Sequence, residues 1–202
     1  MKDIVNSKQP YETDVAVIGG GPSGFAAAVA AARAGARTIL VEQGGCAGGM
    51  ATQGLVGPFM TSYDSKGEEM IIRGLFSELV DRLVERGGAI HPSEIRAGTA
   101  FTSWITDGHD HVTPFDPEIL KWLMDEMLQE AGVRILYHTT FTEPVLSGTN
   151  IAKVMVNSKS GIEELSAKVF IDCTGDGDLA YRCGVPCHKG RRESGTMQPA
   201  TM

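Results

Sequence analysis

Positive charge is scarce in this 202-residue sequence: 18 Lys and Arg stand against 25 Asp and Glu, a net charge of -7. That sign is wrong for a nucleic-acid footprint or a polybasic membrane patch, so neither partner is expected. A secretory leader is not expected either, because Met1 to Thr13 is polar and holds no apolar core. The longest apolar run, Phe25 to Ala32, is far too short to span a bilayer and ends at Arg33. Cysteine is sparse too. Cys46, Cys173, Cys183 and Cys187 are too few for a disulfide framework and fit a reducing compartment. The expectation is a soluble, cytoplasmic protein of one domain or at most two. With 42% hydrophobic and 21% charged residues it can bury a core, which excludes the disordered and collagen-like classes.

Glycine is abundant instead, at 25 residues, well above the roughly 7% of average usage. Its placement therefore reports where backbone approaches something closely. Asp14-Val-Ala-Val-Ile-Gly19 is a β-branched run that meets glycines at once and reads as a buried parallel strand. Pro22 to Ala34, alanine-rich and stopped by Gly35, predicts a helix lying close to that strand, and Arg37 to Glu42 a second strand. Together they form a βαβ unit of the usual size.

Beyond it, Gln43 to Pro58 has neither helical nor strand period and predicts a long loop. Glu69 to Arg86 carries Ile72, Leu75, Phe76, Leu79 and Leu83 on one helical face, closed by Gly87-Gly88. His91 to Thr113 has no clear period. Asp116-Pro117-Glu118 is a helix start, with Leu120, Leu123, Met124, Met127 and Leu128 as the core stripe and Gly132 as the stop. Val133 to Tyr137 predicts a third strand. Phe141 to Leu146, Ile151 to Asn157 and Ile162 to Leu165 predict a small antiparallel meander across about 141–166, and Lys168 to Cys173 a further buried strand. No internal repeat is present.

Gly19-x-Gly21-x-x-Gly24 follows a strand, opens a helix and precedes an acid, Glu42, by eighteen residues. Gly19 permits the tight turn, Gly21 lets backbone reach a pyrophosphate, and Gly24 lets helix and strand pack closely. The helix N-terminus offers N–H groups and a positive dipole end to the anion. Glu42 can accept hydrogen bonds from an adenosine ribose and would repel a 2′-phosphate, which argues against NADP there. About ninety residues separate Glu42 from the third strand at Val133, and they open with the glycine-rich Gly44 to Thr52. That loop has the N–H groups to follow a longer ligand, so FAD fits better than NAD.

The Gly19 to Glu42 fingerprint, Gly48-Gly49-Met50-Ala51-Thr52, Phe115-Asp116-Pro117-Glu118 and Asp172 to Ala180 together resemble the FAD-dependent oxidoreductases of the glutathione-reductase-like flavoprotein superfamily. The resemblance covers most of the chain. It implies an α/β Rossmann-like FAD-binding fold over residues 1–188, with an irregular and helical insertion at about 43–115. It implies cofactor contacts at Gly19, Gly21, Pro22, Ser23 and Gly24, at Glu42 and Gln43, and along Gly48 to Thr52. Phe141 would mark the backbone that meets adenine, and Thr174, Gly175 and Asp176 would approach the diphosphate. It also implies that residues 189–202 only begin a substrate domain that is largely missing, so that the chain is the N-terminal part of a longer enzyme. A small organic substrate, and either a homo-oligomer or that C-terminal part, are the expected partners.

The expected reaction is hydride transfer to or from the flavin. An NAD-binding dehydrogenase and a nucleotide-binding module without turnover are the other readings. No catalytic residue is assigned. Cys46 lacks the companion four residues away that dithiol reductases of the superfamily carry, and it reads as a packing residue. Cys183-x3-Cys187-His188 is spaced too loosely for a metal site, and none is expected. His109-Asp110-His111 reads as a solvated loop. Of Asp176 and Asp178, one is expected to cap the helix at Leu179 to Arg182.

Overall fold

The computed structural model describes residues 10–197; the outermost parts of the two expected segments, 1–9 and 198–202, lie outside the described residues. Among the described residues one six-stranded sheet organises the fold. Its strands are β1 (Tyr11–Ile18), β2 (Thr38–Val41), β3 (Arg134–Leu136), β4 (Thr140–Ser147), β5 (Asn150–Ser158) and β6 (Gly161–Asp172). They lie in the order β3-β2-β1-β6-β5-β4. The first four are parallel, and β5 and β4 continue the sheet antiparallel. This is the expected α/β class.

The β-branched runs of β1 and β2 follow from burial on both faces. Val17 and Leu40 face a core built with α1 (Pro22–Arg33), α2 (Leu75–Glu85) and α3 (Pro117–Glu130). Ala16, Ile18, Ile39 and Val41 face a second core with Val154, Val156 and Leu165 of the antiparallel half and Leu179 of α4 (Asp178–Arg182). The sheet therefore curls far enough for its β5–β6 end to cover the second face of β1 and β2.

The helices start where their chemistry requires. Asp116 caps α3 by accepting from the N–H of Glu118 at 2.7 Å, and its apolar stripe of Leu120, Leu123, Met124, Met127 and Leu128 is buried. Gly35 and Gly132 take the left-handed conformation just beyond α1 and α3.

Two boundaries differ from the sequence pattern. The helix expected over Glu69 to Arg86 begins only at Leu75. The carbonyl of Ser62 takes the N–H groups of Ile71 and Ile72, and the left-handed Gly74 redirects the chain, so the apolar spacing at Ile72 has no helix beneath it. Likewise, the expected meander strand Ile162 to Leu165 and the separate strand Lys168 to Cys173 are one twelve-residue strand, β6. Nothing in Ser166-Ala167 breaks it. It pairs antiparallel with β5 up to Leu165 and parallel with β1 from Leu165 onward.

The insertion between β2 and α3 contains α2 and three short 3-10 turns, at Gly49–Ala51, Pro92–Glu94 and Ala100–Thr102. Its ends are pinned together. Phe59 pairs with Thr113, stacks on Phe115 at 4.3 Å between ring centroids, and meets the edge of Phe76.

Charges tie the three helices on the outside. Arg33 of α1 grips Glu78 of α2 with both guanidinium nitrogens, at 2.6 and 2.8 Å. Arg82 of α2 bonds Glu126 at 2.6 Å and Glu130 at 2.7 Å, both on α3, and Arg86 also reaches Glu126. The Arg33 guanidinium holds Glu78 below the ordinary value of 4.5, and Arg82 does the same for Glu130. A depressed carboxylate contributes stability that is present above its unfolded value and is lost as pH falls through the depressed one. Arg82→Ala is expected to lower the unfolding midpoint by about 2–4 °C in dilute buffer. The deficit should shrink in high salt and vanish in acid below the carboxylate range, and thermal melts across salt and pH check this.

Candidate functional site

Cavity-forming loops leave the carboxyl ends of β1, β2 and β6, where open α/β sheets bind ligands. The cavity they enclose measures ≈ 360 Å³, within the range of about 300–1,000 Å³ usual for small-molecule clefts. Gly19, Gly21, Pro22 and Ser23 form one wall, Glu42 and Gln43 the next, and Thr174 and Gly175 a third. Gly49, Met50 and Phe141 complete the sequence-predicted part of the lining.

The first turn works through what its glycines omit. A Cβ on Gly24 would lie 1.8 Å from the Gly19 carbonyl oxygen, and one on Gly19 would lie 2.3 Å from the carbonyl oxygen of Cys173. Helix α1 can therefore approach β1 and β6 only without side chains there. At Gly21 a Cβ would meet nothing within 4 Å. It would project into the open cavity. No side chain caps α1 and no acid occupies its first turn, so its N-terminal N–H groups and dipole act on the cavity unopposed.

Glu42 is 8% exposed and doubly engaged. One carboxylate oxygen accepts from the N–H of Gly20 at 2.7 Å, the other from the N–H of Gly44 at 2.5 Å. The backbone around it is fixed as well, since its N–H donates to Leu136 and its carbonyl accepts from Thr139. The acid braces the first glycine turn against the loop after β2 while still lining the cavity.

The third wall is an arch. Asp172, the last residue of β6, accepts from both the N–H and the hydroxyl of Thr174, at 3.1 and 2.8 Å, and from the N–H of Ala180 at 2.9 Å. The Thr174 hydroxyl accepts in turn from the N–H of Asp178 at 2.9 Å. Gly175 and Gly177 span the gap in left-handed conformation. Neither Asp176 nor Asp178 caps α4 with its side chain, contrary to the sequence expectation. Gly177 occupies the cap position, and Asp172 and Thr174 supply the acceptors.

Gly24, Gly48, Ala51, Thr52 and Asp176 do not line the cavity. Gly48 donates its N–H to the Gly20 carbonyl at 2.8 Å, and the buried Thr52 hydroxyl bonds the Ala47 carbonyl, so these residues hold the wall from behind. Gln53, Gly54, Thr139 and Thr140 line it although no motif included them, and Cys173 and Asp178, inside the Asp172 to Ala180 motif, line it without having been assigned a contact. Thr139 and Thr140 could have been found from their place just before Phe141. Gln53 belongs to no motif, and only the turn at Gly49–Ala51 brings it round.

Cys173 sits beside Ser23, and burial pushes its thiol above the ordinary value. Cys46 is a free thiol that accepts from the Gln53 amide, outside the lining. His109 is half-buried, and His111 is buried, left-handed and stacked on Tyr63 at 4.1 Å between rings, so the expectation of a solvated loop fails at His111. Among the described residues no three His, Cys, Asp or Glu side chains converge as a metal site, Cys183, Cys187 and His188 included. No described helix is long and apolar enough to cross a membrane.

Two glycine turns on adjacent parallel strands, an uncapped helix N-terminus and an acid at the end of β2 define a dinucleotide-binding α/β protein. The chain belongs to the FAD-dependent oxidoreductase family, whose model matches residues 14–202, and its cofactor is FAD. No curated protein matches the sequence. Among solved structures, a geranylgeranyl bacteriochlorophyll reductase-like protein from Thermoplasma acidophilum is 19% identical with a TM-score of 0.57, covering 89% of this chain and 44% of its own. THI4 from Thermovibrio ammonificans is 18% identical with a TM-score of 0.57, covering 92% and 64%. The 3-ketosteroid-Δ4-(5α)-dehydrogenase from Rhodococcus jostii RHA1 is 17% identical with a TM-score of 0.53, covering 82% and 46%. These likenesses are of fold, and the chain spans less than two thirds of each of these structures.

The two kinds of glycine separate cleanly by experiment. Gly24→Ala is expected to destabilise the apo protein by about 1–3 kcal/mol or more, because a backbone oxygen must give way. Gly21→Ala should leave apo stability within about 0.5 kcal/mol of the parent. Urea unfolding of both variants without added nucleotide makes the comparison.

Proposed function

We propose that the protein is the dinucleotide-binding part of an oxidoreductase that moves a hydride between FAD and a small organic molecule. The finer placement, in the glutathione-reductase-like superfamily and in the cytoplasm, belongs to the same proposal. The observation that carries it is the convergence of the uncapped α1 N-terminus, the bare Gly21 and the Glu42 carboxylate on one cavity. These three features meet the three needs of an adenine dinucleotide: dipoles for the pyrophosphate, close backbone approach, and an acceptor for ribose hydroxyls.

When bound, FAD supplies the N5 position that takes or gives the hydride. The chain's own residues bind and orient. The first turn would hold the pyrophosphate, with Pro22 and Ser23 at its edge. Glu42 and Gln43 would face the ribose, and Phe141, at the start of β4, would lie against adenine. Met50 and the Gly48 to Thr52 loop would flank the flavin end, and Thr174, Gly175 and Asp176 would approach the diphosphate. The partners are then a small-molecule substrate and either a second copy or further parts of the same protein, not nucleic acid or membrane.

An oxidised-flavin absorbance spectrum of the purified protein tests the cofactor, and titration with FAD and with NAD tests the choice between them. Gly21→Val is expected to weaken FAD by roughly a hundredfold or more, since its side chain occupies the pyrophosphate position, and Glu42→Gln by roughly tenfold. Wild-type FAD affinity in both variants, or preference for NAD, would remove this reading. Cys46→Ser should leave flavin reduction by substrate intact, because a single thiol cannot complete a dithiol cycle. Anaerobic bleaching of the flavin absorbance measures it.

A further inference from the structure

The geometry points to Asp172, through Thr174, as a positioning residue for the cofactor, an inference that rests on reading the cavity as the FAD site. Asp172 touches no ligand space itself. It lies behind the lining, half-buried, at the end of β6 and in register with Ile18 of β1, the residue just before the first glycine turn. All three donors it accepts from are intramolecular: the Thr174 N–H and hydroxyl on one oxygen, the Ala180 N–H on the other. With the Asp178 N–H on the Thr174 hydroxyl, four hydrogen bonds close a ring across residues 172, 174, 178 and 180.

The ring fixes what lies inside it. Residues 175–177 are left as an arch with two left-handed glycines, and among the described residues their N–H groups donate to no protein acceptor. Thr174 and Gly175 of this arch line the cavity, and so does Asp178 at its far foot. Meanwhile the Cys173 N–H bonds the Ile18 carbonyl at 2.7 Å, fastening the near foot to the strand that carries the first turn. A carboxylate is the one side chain of this length that accepts on both oxygens. An amide would turn one N–H₂ toward a backbone or hydroxyl donor and open the ring. The positions of the two cavity walls relative to each other therefore depend on a residue that faces away from both ligand and solvent chemistry.

Three substitutions in the full chain test this, with FAD dissociation constants measured well below each variant's unfolding temperature. Asp172→Asn and Thr174→Val are expected to bind FAD roughly tenfold more weakly, while Thr174→Ser, which keeps the hydroxyl, restores near-parental affinity. Thr174→Val is nearly isosteric and carries the test alone if Asp172→Asn does not fold. A merely structural role would lower the unfolding temperature of these variants and leave the affinity of the folded protein unchanged, and that result overturns the inference. A parent protein that takes up no FAD would overturn the cofactor reading, and the positioning role with it.

Discussion

The close approach of Gly24 to the Gly19 carbonyl is the constraint on which the rest of the structure depends. With no Cβ at either residue, α1 lies against β1 and its N-terminus opens directly over the sheet's carboxyl edge. The first turn then also touches the residue just past β6, Cys173, whose carbonyl fills the space a Gly19 side chain would need. One steric vacancy thus fixes the helix, the turn and the neighbouring strand together. Electrostatics follow from it: the helix dipole is aimed because the helix cannot lie elsewhere.

The polar groups around the cavity are satisfied by pairing with one another, and this gives the walls their rigidity. Glu42 spans two loops, Gly48 bonds back to Gly20, and the arch after β6 is closed by its own acid. Buried carboxylates need such donors, and glycine-rich backbone has N–H groups to give. The same glycines that permit approach to a ligand therefore also supply the donors that hold the acids in place.

Much of this was legible from the sequence, because it rested on short local rules. The βαβ unit, the Asp116 start of α3 and the bare turn at Gly21 are each written within a few residues. What was not legible depended on partners far along the chain. The late start of α2 comes from the Ser62 carbonyl, the fusion of two extended stretches into β6 from having β5 on one side and β1 on the other, and the capping of α4 from Asp172 rather than from the nearer Asp176 or Asp178. The cavity contributions of Gln53 and Thr139 have the same origin, since no motif announces a residue that is brought round by someone else's turn.

The aromatic closure at Phe59, Phe76 and Phe115 bears on how the protein can change. Because residues 59 and 113 are paired, the two ends of the stretch that carries α2 meet at nearly one point. The free energy of closing such a loop grows only with the logarithm of its length. The parts of this stretch that flank α2 can thus be lengthened or shortened with little effect on the sheet, as long as the three rings still meet and Leu79 and Leu83 of α2 keep their place in the core. The stretch is a docking port for new sequence, five residues along the chain from the Gly48 to Gly54 wall, where novelty in that stretch would be felt by whatever the cavity holds.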